Sequence, residues 1–242
     1  MHKFGLVGKN ISYSFSENYF TKKFKNLGLN NHKYYTYDIE SIQDFPDIIS
    51  RDIMGLNITI PYKEKIIDFL DEIDEEALKI GAVNTIKITK NNKLKGFNTD
   101  VYGFEESLRP LIEAYHKKAL ILGTGGASKA VAFVLQKLKI DYLVVSRNPN
   151  KDQRSYSDLT KDILNNYEII INCTPLGTFP EVDTCPDLPY QFLSEKHLLY
   201  DLIYNPAKTR FLSEGEKRGA TIHNGLRMLE LQAEKSWEIW NL

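Results

Sequence analysis

Lys117–Asn148, KKALILGTGGASKAVAFVLQKLKIDYLVVSRN, is the stretch that decides the fold of this 242-residue chain. An apolar run, Ala119–Leu122, meets the cluster Gly123-Thr124-Gly125-Gly126-Ala127-Ser128. Ala130, Val131, Val134, Leu135 and Leu138 then recur at helical spacing and share one apolar face. Tyr142–Val145 reads as a second buried strand. This is one βαβ unit of about 30 residues with glycines at its first turn, the arrangement that holds a dinucleotide pyrophosphate. Glycines let the backbone turn tightly and approach phosphate, and the helix that follows points its N–H groups and positive dipole end at the anion. Ser128 stands at the third glycine position of G-x-G-x-x-G. A small residue there still permits close helix–strand packing, and its hydroxyl can cap the turn or touch phosphate.

The end of the second strand separates the two common dinucleotides. An NAD site usually carries Asp or Glu there to bind the ribose 2′-hydroxyl. This chain has Ser146-Arg147-Asn148, then Lys151 and Arg154. A guanidinium at Arg147 can grip a 2′-phosphate with two donors, which favours NADP(H) over NAD(H). The competing reading is a solvated basic loop.

Composition allows one large domain or two small ones. The chain is 42% hydrophobic and 26% charged with net charge −1, so no global field favours nucleic acid or a membrane surface. No apolar run approaches the ~20 residues of a membrane span. Met1-His2-Lys3-Phe4-Gly5 reads as the start of a strand rather than a signal peptide. Cys173 and Cys185 form neither a disulfide framework nor a metal-ligand pattern, so a reduced, cytoplasmic compartment and no metal are expected. The oligomeric state, monomer or homodimer, is not legible.

In order along the chain, Lys3–Val7 reads as a strand. Ser16 reads as the N-cap of a helix running to Leu27. Tyr34–Ile39 reads as a second strand, and Ile42–Ser50 as a short helix interrupted by Pro46. In Gly55–Lys63, Leu56, Ile58 and Ile60 alternate with Asn57 and Thr59, so the two polar residues share one strand face. Pro61 stops that strand and places Lys63 at the start of a helix, where a cation opposes the macrodipole. That misfit hints at a task for Lys63; a solvated lysine is the plain alternative. An acidic helix over Asp68–Ile80 comes next, then a hairpin of Val83–Ile88 with Leu94–Phe97 across Asn91-Asn92. Asn98-Thr99-Asp100 opens a helix to Ala114 that Pro110 bends or shortens. Asp100 taken alone is a helix N-terminal anion. Beyond Asn148 the α/β pattern continues through strands Ile169–Asn172, Leu198–Ile203 and Thr221–His223 and a helix over Thr209–Arg218. Gly225 begins the last helix, on which Gln232 is the odd polar residue, read by itself as a surface glutamine.

Together these motifs resemble the shikimate dehydrogenase family along nearly the whole chain. The matching stretches are Ser14-Phe15-Ser16, Asn57–Lys63, Gly81–Thr85, Asn98-Thr99-Asp100, Gly123–Ser128, Asn172–Gly177, Asp201–Tyr204 and Gly225–Leu229. The resemblance implies two α/β domains flanking a cleft, the second a Rossmann-type doubly wound parallel sheet. Residues 1–101 with 226–242 would form the substrate domain, and 102–225 the NADP domain. It implies NADPH-dependent reduction of 3-dehydroshikimate to shikimate, a step of chorismate and aromatic amino acid biosynthesis. Substrate would meet Ser14, Ser16, Thr59, Lys63, Asn84, Asp100, Tyr204 and Gln232, with Lys63 as acid/base and Asp100 as its partner. Cofactor would meet Glu75, Gly123, Thr124, Gly125, Gly126, Ala127, Ser146, Arg147, Asn148, Lys151, Leu202 and Gly225. Hydroxyls and amides suit a small polyol acid, because several donors around a small polar ligand fix its orientation. The chain departs from the family where Asn10 replaces a usual proline, Tyr13 a histidine and Glu17 a frequent proline. Ser146-Arg147-Asn148 likewise varies from Asn-Arg-Thr. Two rivals stay open: a quinate/shikimate-type paralogue with another polyol or NAD, and a non-catalytic NADP-binding regulator, against which intact Lys63 and Asp100 argue.

Overall fold

The computed structural model describes residues 1–11, 14–49 and 52–242. Two compact units make up the chain, Met1–Thr99 with Ala233–Leu242, and Asp100–Gln232.

The first unit contains β1 (His2–Gly8), α1 (Phe15–Asn26), β2 (His32–Asp38), α2 (Phe45–Ile48), β3 (Ile53–Ile58), β4 (Glu72–Ile73), α3 (Glu75–Ile80), β5 (Thr85–Ile88) and β6 (Leu94–Phe97). Its sheet is mixed, ordered β2-β1-β3-β5-β6-β4. β1 pairs in parallel with β2 and β3, while β3, β5 and β6 are antiparallel neighbours. One cluster joins Leu56, Ile58, Ile66, Val83 and Ile86. A second is aromatic, with Phe20 and Phe24 of α1 meeting Phe4, Tyr34 and Trp240. Aromatic side chains bury about 150–250 Å² each, so this cluster is what returns the last residues of the chain to the first sheet. The Trp240 indole also donates to the Ile86 carbonyl at 3.0 Å.

The second unit follows through α4 (Thr99–Leu108), β7 (Lys118–Leu122), α5 (Gly126–Lys137), β8 (Asp141–Val145), α6 (Lys161–Asn166), β9 (Ile169–Asn172), β10 (Leu198–Asp201), α7 (Arg210–Glu216), β11 (Thr221–His223) and α8 (Leu226–Asn241). Its five strands are all parallel, in the order β11-β10-β9-β7-β8. β9 and β10 are buried along their whole length, as expected of parallel strands covered on both faces. The order reverses between β7 and β9, and open parallel sheets bind ligands at the carboxyl ends of strands flanking such a reversal.

The units divide after Thr99 and before Ala233, so the first half of α8 groups with the second unit. Several local expectations need correction. Ser14, not Ser16, is the N-cap of α1, and it makes no side-chain capping bond. The acidic stretch 68–80 is not one helix: Lys65–Phe69 is a 3-10 turn, Glu72–Ile73 pairs with β6, and α3 starts only after the Asp74 cap. Pairing with β6 outweighed local helix propensity there. Lys63 precedes that 3-10 turn and sits in no α-helix, so the dipole misfit does not arise. α4 ends at Leu108, and Pro110 lies in a 3-10 turn, Arg109–Leu111. Ile42–Asp44 is likewise 3-10, with Pro46 at the head of α2. Ser50 and Tyr13 lie outside the described residues.

Candidate active site

The carboxyl ends of β1 and β3 and the amino end of the antiparallel β5 form the working edge of the first sheet. Thr59 follows β3, and its N–H donates to Val7 at 2.9 Å. Asn84 precedes β5, and its carbonyl accepts from Ile58 N–H at 2.9 Å. The Lys63 carbonyl accepts from Val83 N–H at 2.7 Å, which sets half-buried Lys63 beside the Asn84 segment. Asn84 is 2% exposed. Its Oδ1 accepts from Thr99 N–H at 2.7 Å, Thr99 Oγ1 at 3.1 Å and Thr85 Oγ1 at 3.2 Å. That commits the amide's carbonyl side to the protein and turns its NH₂ side away from these partners.

Behind Asn84 lies a polar network that sequence reasoning missed. The Tyr34 hydroxyl donates to Asn57 Oδ1 at 2.8 Å, and Asn57 Nδ2 donates to Ser236 Oγ of α8 at 2.9 Å. Ser236, Thr85 and Thr99 hydroxyls join one another at 2.8–3.3 Å. Burial pushes the Tyr34 phenol up, and a hydrogen bond from Ser16 offsets part of that shift. Every member is buried and paired, the condition under which a polar core is rigid rather than costly. The available sequence signal was a lone serine among the apolar residues of the final helix. Ser14 differs: among the described residues its buried Oγ has no hydrogen-bond partner.

Glu75 is exposed in the first turn of α3 and belongs to the first unit. The rest of the expected cofactor set belongs to the second. Gly123 has φ +103°, a conformation natural only to glycine, and its N–H donates to Val145 at 2.8 Å. Gly125 caps α5 without a side chain, and a Cβ there would meet nothing within 4 Å. Ser128 donates to the Gly125 carbonyl at 2.6 Å, so its hydroxyl tightens the turn. Thr124 and Gly125 are exposed, with Gly126 and Ala127 half-buried. A bare, open helix N-terminus with its glycine turn fits a pyrophosphate. At the end of β8, Ser146 Oγ accepts from Asn148 N–H at 3.2 Å. Arg147, Asn148 and Lys151 are exposed, the accessibility a ribose phosphate requires. Leu202 follows β10, and Gly225 packs so closely on it that a Cβ would collide with the Leu202 carbonyl. Asp100 is 2% exposed in the first turn of α4. Tyr204 is half-buried, and half-buried Gln232 lies where α8 packs on Gly103 of α4.

Asp201 ends β10 fully buried. It accepts from Asn172 Nδ2, Ile203 N–H and Thr209 Oγ1 at 3.0, 3.0 and 2.6 Å. Burial pushes its carboxyl from 3.8 up to about 6, against the pull of those bonds. A raised folded value means stability is fully present below the unfolded pKa and is lost as pH rises through the folded one. The difference of about 2.2 units (6 − 3.8) corresponds to on the order of 3 kcal/mol. Urea unfolding from about pH 4 to about pH 7.5 should therefore show wild type losing stability relative to Asp201→Asn by that order. A pH-independent difference would mean that the carboxyl titrates normally.

The model of the shikimate dehydrogenase substrate binding domain matches residues 6–86. A shikimate dehydrogenase (NADP(+)) of Caldicellulosiruptor saccharolyticus is 36% identical over 260 aligned residues, covering 99% of this chain and 92% of the relative. The crystal structure of shikimate dehydrogenase 1 from Peptoclostridium difficile has 38% identity and TM-score 0.86, covering 100% of this chain and 92% of its own. Shikimate 5-dehydrogenase from Thermus thermophilus, solved in complex with NADP(H) and shikimate, has 31% identity and TM-score 0.87, with coverages of 99% and 93%.

Proposed function

This chain belongs to the shikimate dehydrogenase family, and from that premise we propose that it interconverts 3-dehydroshikimate and shikimate in aromatic amino acid biosynthesis. NADP(H) supplies or accepts the hydride. Most of the substrate residues belong to the first unit and most of the cofactor residues to the second. Free Cys173 and Cys185 suit a reduced, cytoplasmic setting, and among the described residues no helix is long and apolar enough to cross a membrane.

The residues divide the work by chemistry. Charge develops on the ketone oxygen as its carbon is reduced. Lys63, as ammonium, stabilises that charge and delivers the proton; in the reverse direction its amine takes the proton from the shikimate hydroxyl. Asp100 holds the lysine. Asn84, its carbonyl side held by Thr99 and Thr85, presents a donor to a substrate oxygen, and the unpartnered hydroxyl of Ser14 meets a polar group that the substrate brings. Ser16, Thr59, Tyr204 and Gln232 complete the set. Gly123 to Ala127, Ser146, Arg147, Asn148, Lys151, Leu202 and Gly225 line the cofactor, with Glu75 contributing from the first unit.

The observation that carries this reading is the glycine turn opening α5 in a chain that is 36% identical, over nearly its whole length, to an NADP-dependent relative. Purified protein should oxidise shikimate with NADP, followed by the absorbance of reduced nicotinamide. Turnover of quinate rather than shikimate would make it a quinate-type paralogue. NADP binding without turnover of either would make it a regulator.

A further inference from the structure

We propose that Asp38 is a positioning residue for the substrate residue Ser14, its side chain clamping Asn10 and Ile11 on the way from β1 to Ser14. Asp38 closes β2 directly opposite Gly8, the end of β1, at the edge that carries Thr59. Its two oxygens accept from consecutive backbone groups, Oδ1 from Asn10 N–H at 2.8 Å and Oδ2 from Ile11 N–H at 3.2 Å. For both N–H groups to face one carboxyl group the chain turns at Asn10, which holds φ +57°. Few side chains tolerate that conformation, asparagine among them, and a proline there would have neither the angle nor the N–H.

The same segment is tied to the strand that carries Thr59. Lys9 N–H donates to the Ile60 carbonyl at 3.2 Å. Gly8 lies so close to Thr59 that a Cβ would sit 2.5 Å from its methyl group. A few residues on comes Ser14, whose buried Oγ has no hydrogen-bond partner among the described residues. A fold that keeps a hydroxyl dry and unpaired gives up stability there, so where the loop sits decides whether a ligand can satisfy it. Asp38 needs no contact with substrate to do this; it holds Asn10 and Ile11, the described residues just before Ser14. The inference rests on the proposed role of Ser14 as a substrate residue.

The test uses the intact enzyme. Asp38→Ala should raise the KM for shikimate about tenfold, the scale of a lost hydrogen bond to a charged group. Its kcat and its KM for NADP should stay within about threefold, since neither the acid/base group nor the cofactor turn is touched. Asp38→Asn keeps one acceptor for Asn10 and should fall between. Should Asp38→Ala fold poorly, Asn10→Pro carries the same expectation and Asn10→Gly should behave as wild type. The Asp38→Ala and Asn10→Pro effects should not add, because both release one loop. Amide hydrogen exchange without ligand supplies a second readout: Asn10 and Ile11 should exchange at least about tenfold faster in Asp38→Ala while the β1 and β2 interiors stay protected. Unchanged exchange, faster exchange with an unmoved shikimate KM, or both KM values rising together would each overturn the proposal. A wild type that does not turn over shikimate would instead sink the proposed function, and the exchange rates would then judge the clamp on their own.

Discussion

Lys63→Ala is expected to lower kcat for shikimate oxidation by at least about 10²-fold, within the 10²–10⁴ range of general acid–base catalysis. The KM for shikimate should move by less than about threefold, because hydroxyls and amides of other residues carry the binding; equal falls in kcat and kcat/KM mark an interaction made in the transition state. Lys63→Arg should not restore the rate. A guanidinium keeps the charge but does not give up its proton, so it can neutralise the oxygen without serving as acid or base. The location supports a specific rather than a general effect. Lys63 is half-buried in the segment that follows the central strand β3, tied by its carbonyl to Val83, so truncation leaves the core cluster of Leu56, Ile58 and Ile86 intact. The steady-state rate of each variant, with a melting curve to show that it is folded, decides the matter. Wild-type turnover by Lys63→Ala would remove the lysine from the mechanism.

Arg147→Ala should raise the KM for NADP by about tenfold while that for NAD shifts by less than about twofold. A bidentate guanidinium–phosphate pair is among the stronger hydrogen-bonded contacts. Arg147 is exposed, so solvent screening holds the effect near the lower end of that range. The gap between the two cofactors should also narrow as salt is raised from about 0.05 to about 0.5 M, since exposed charges are screened within a Debye length. Arg147→Lys keeps the charge and loses the fork, and should sit between. Steady-state rates with both cofactors at two salt concentrations test this. Equal losses for NADP and NAD would assign Arg147 to the shared part of the cofactor and move the 2′-phosphate to Lys151 or elsewhere.

What the sequence determined by itself was everything encoded within a few residues of itself. The apolar run Ala119–Leu122, the cluster Gly123–Ser128 and the helical spacing of Ala130, Val131, Val134 and Leu135 are local signals, and β7, α5 and β8 stand where they put them. The polar phase of Asn57 and Thr59 was readable for the same reason: side-chain direction in a strand has period two. The family was legible because short local motifs recur in register along the whole chain. Tertiary structure decided whatever depends on partners distant in sequence. Glu72–Ile73 became a strand because Lys95 and Gly96 were there to pair with it. Ser14 rather than Ser16 became the cap, yet its hydroxyl was left unpartnered. Asn84 acquired a fixed amide orientation from Thr99, and Asn57 met Ser236, 179 positions away in the chain. Asp38, an unremarked residue at a strand end, came to hold two N–H groups nearly 30 positions upstream. Periodicity tells which face a residue takes; it carries no record of which donor folding will bring to that face, and in a buried site the donors and acceptors decide the chemistry.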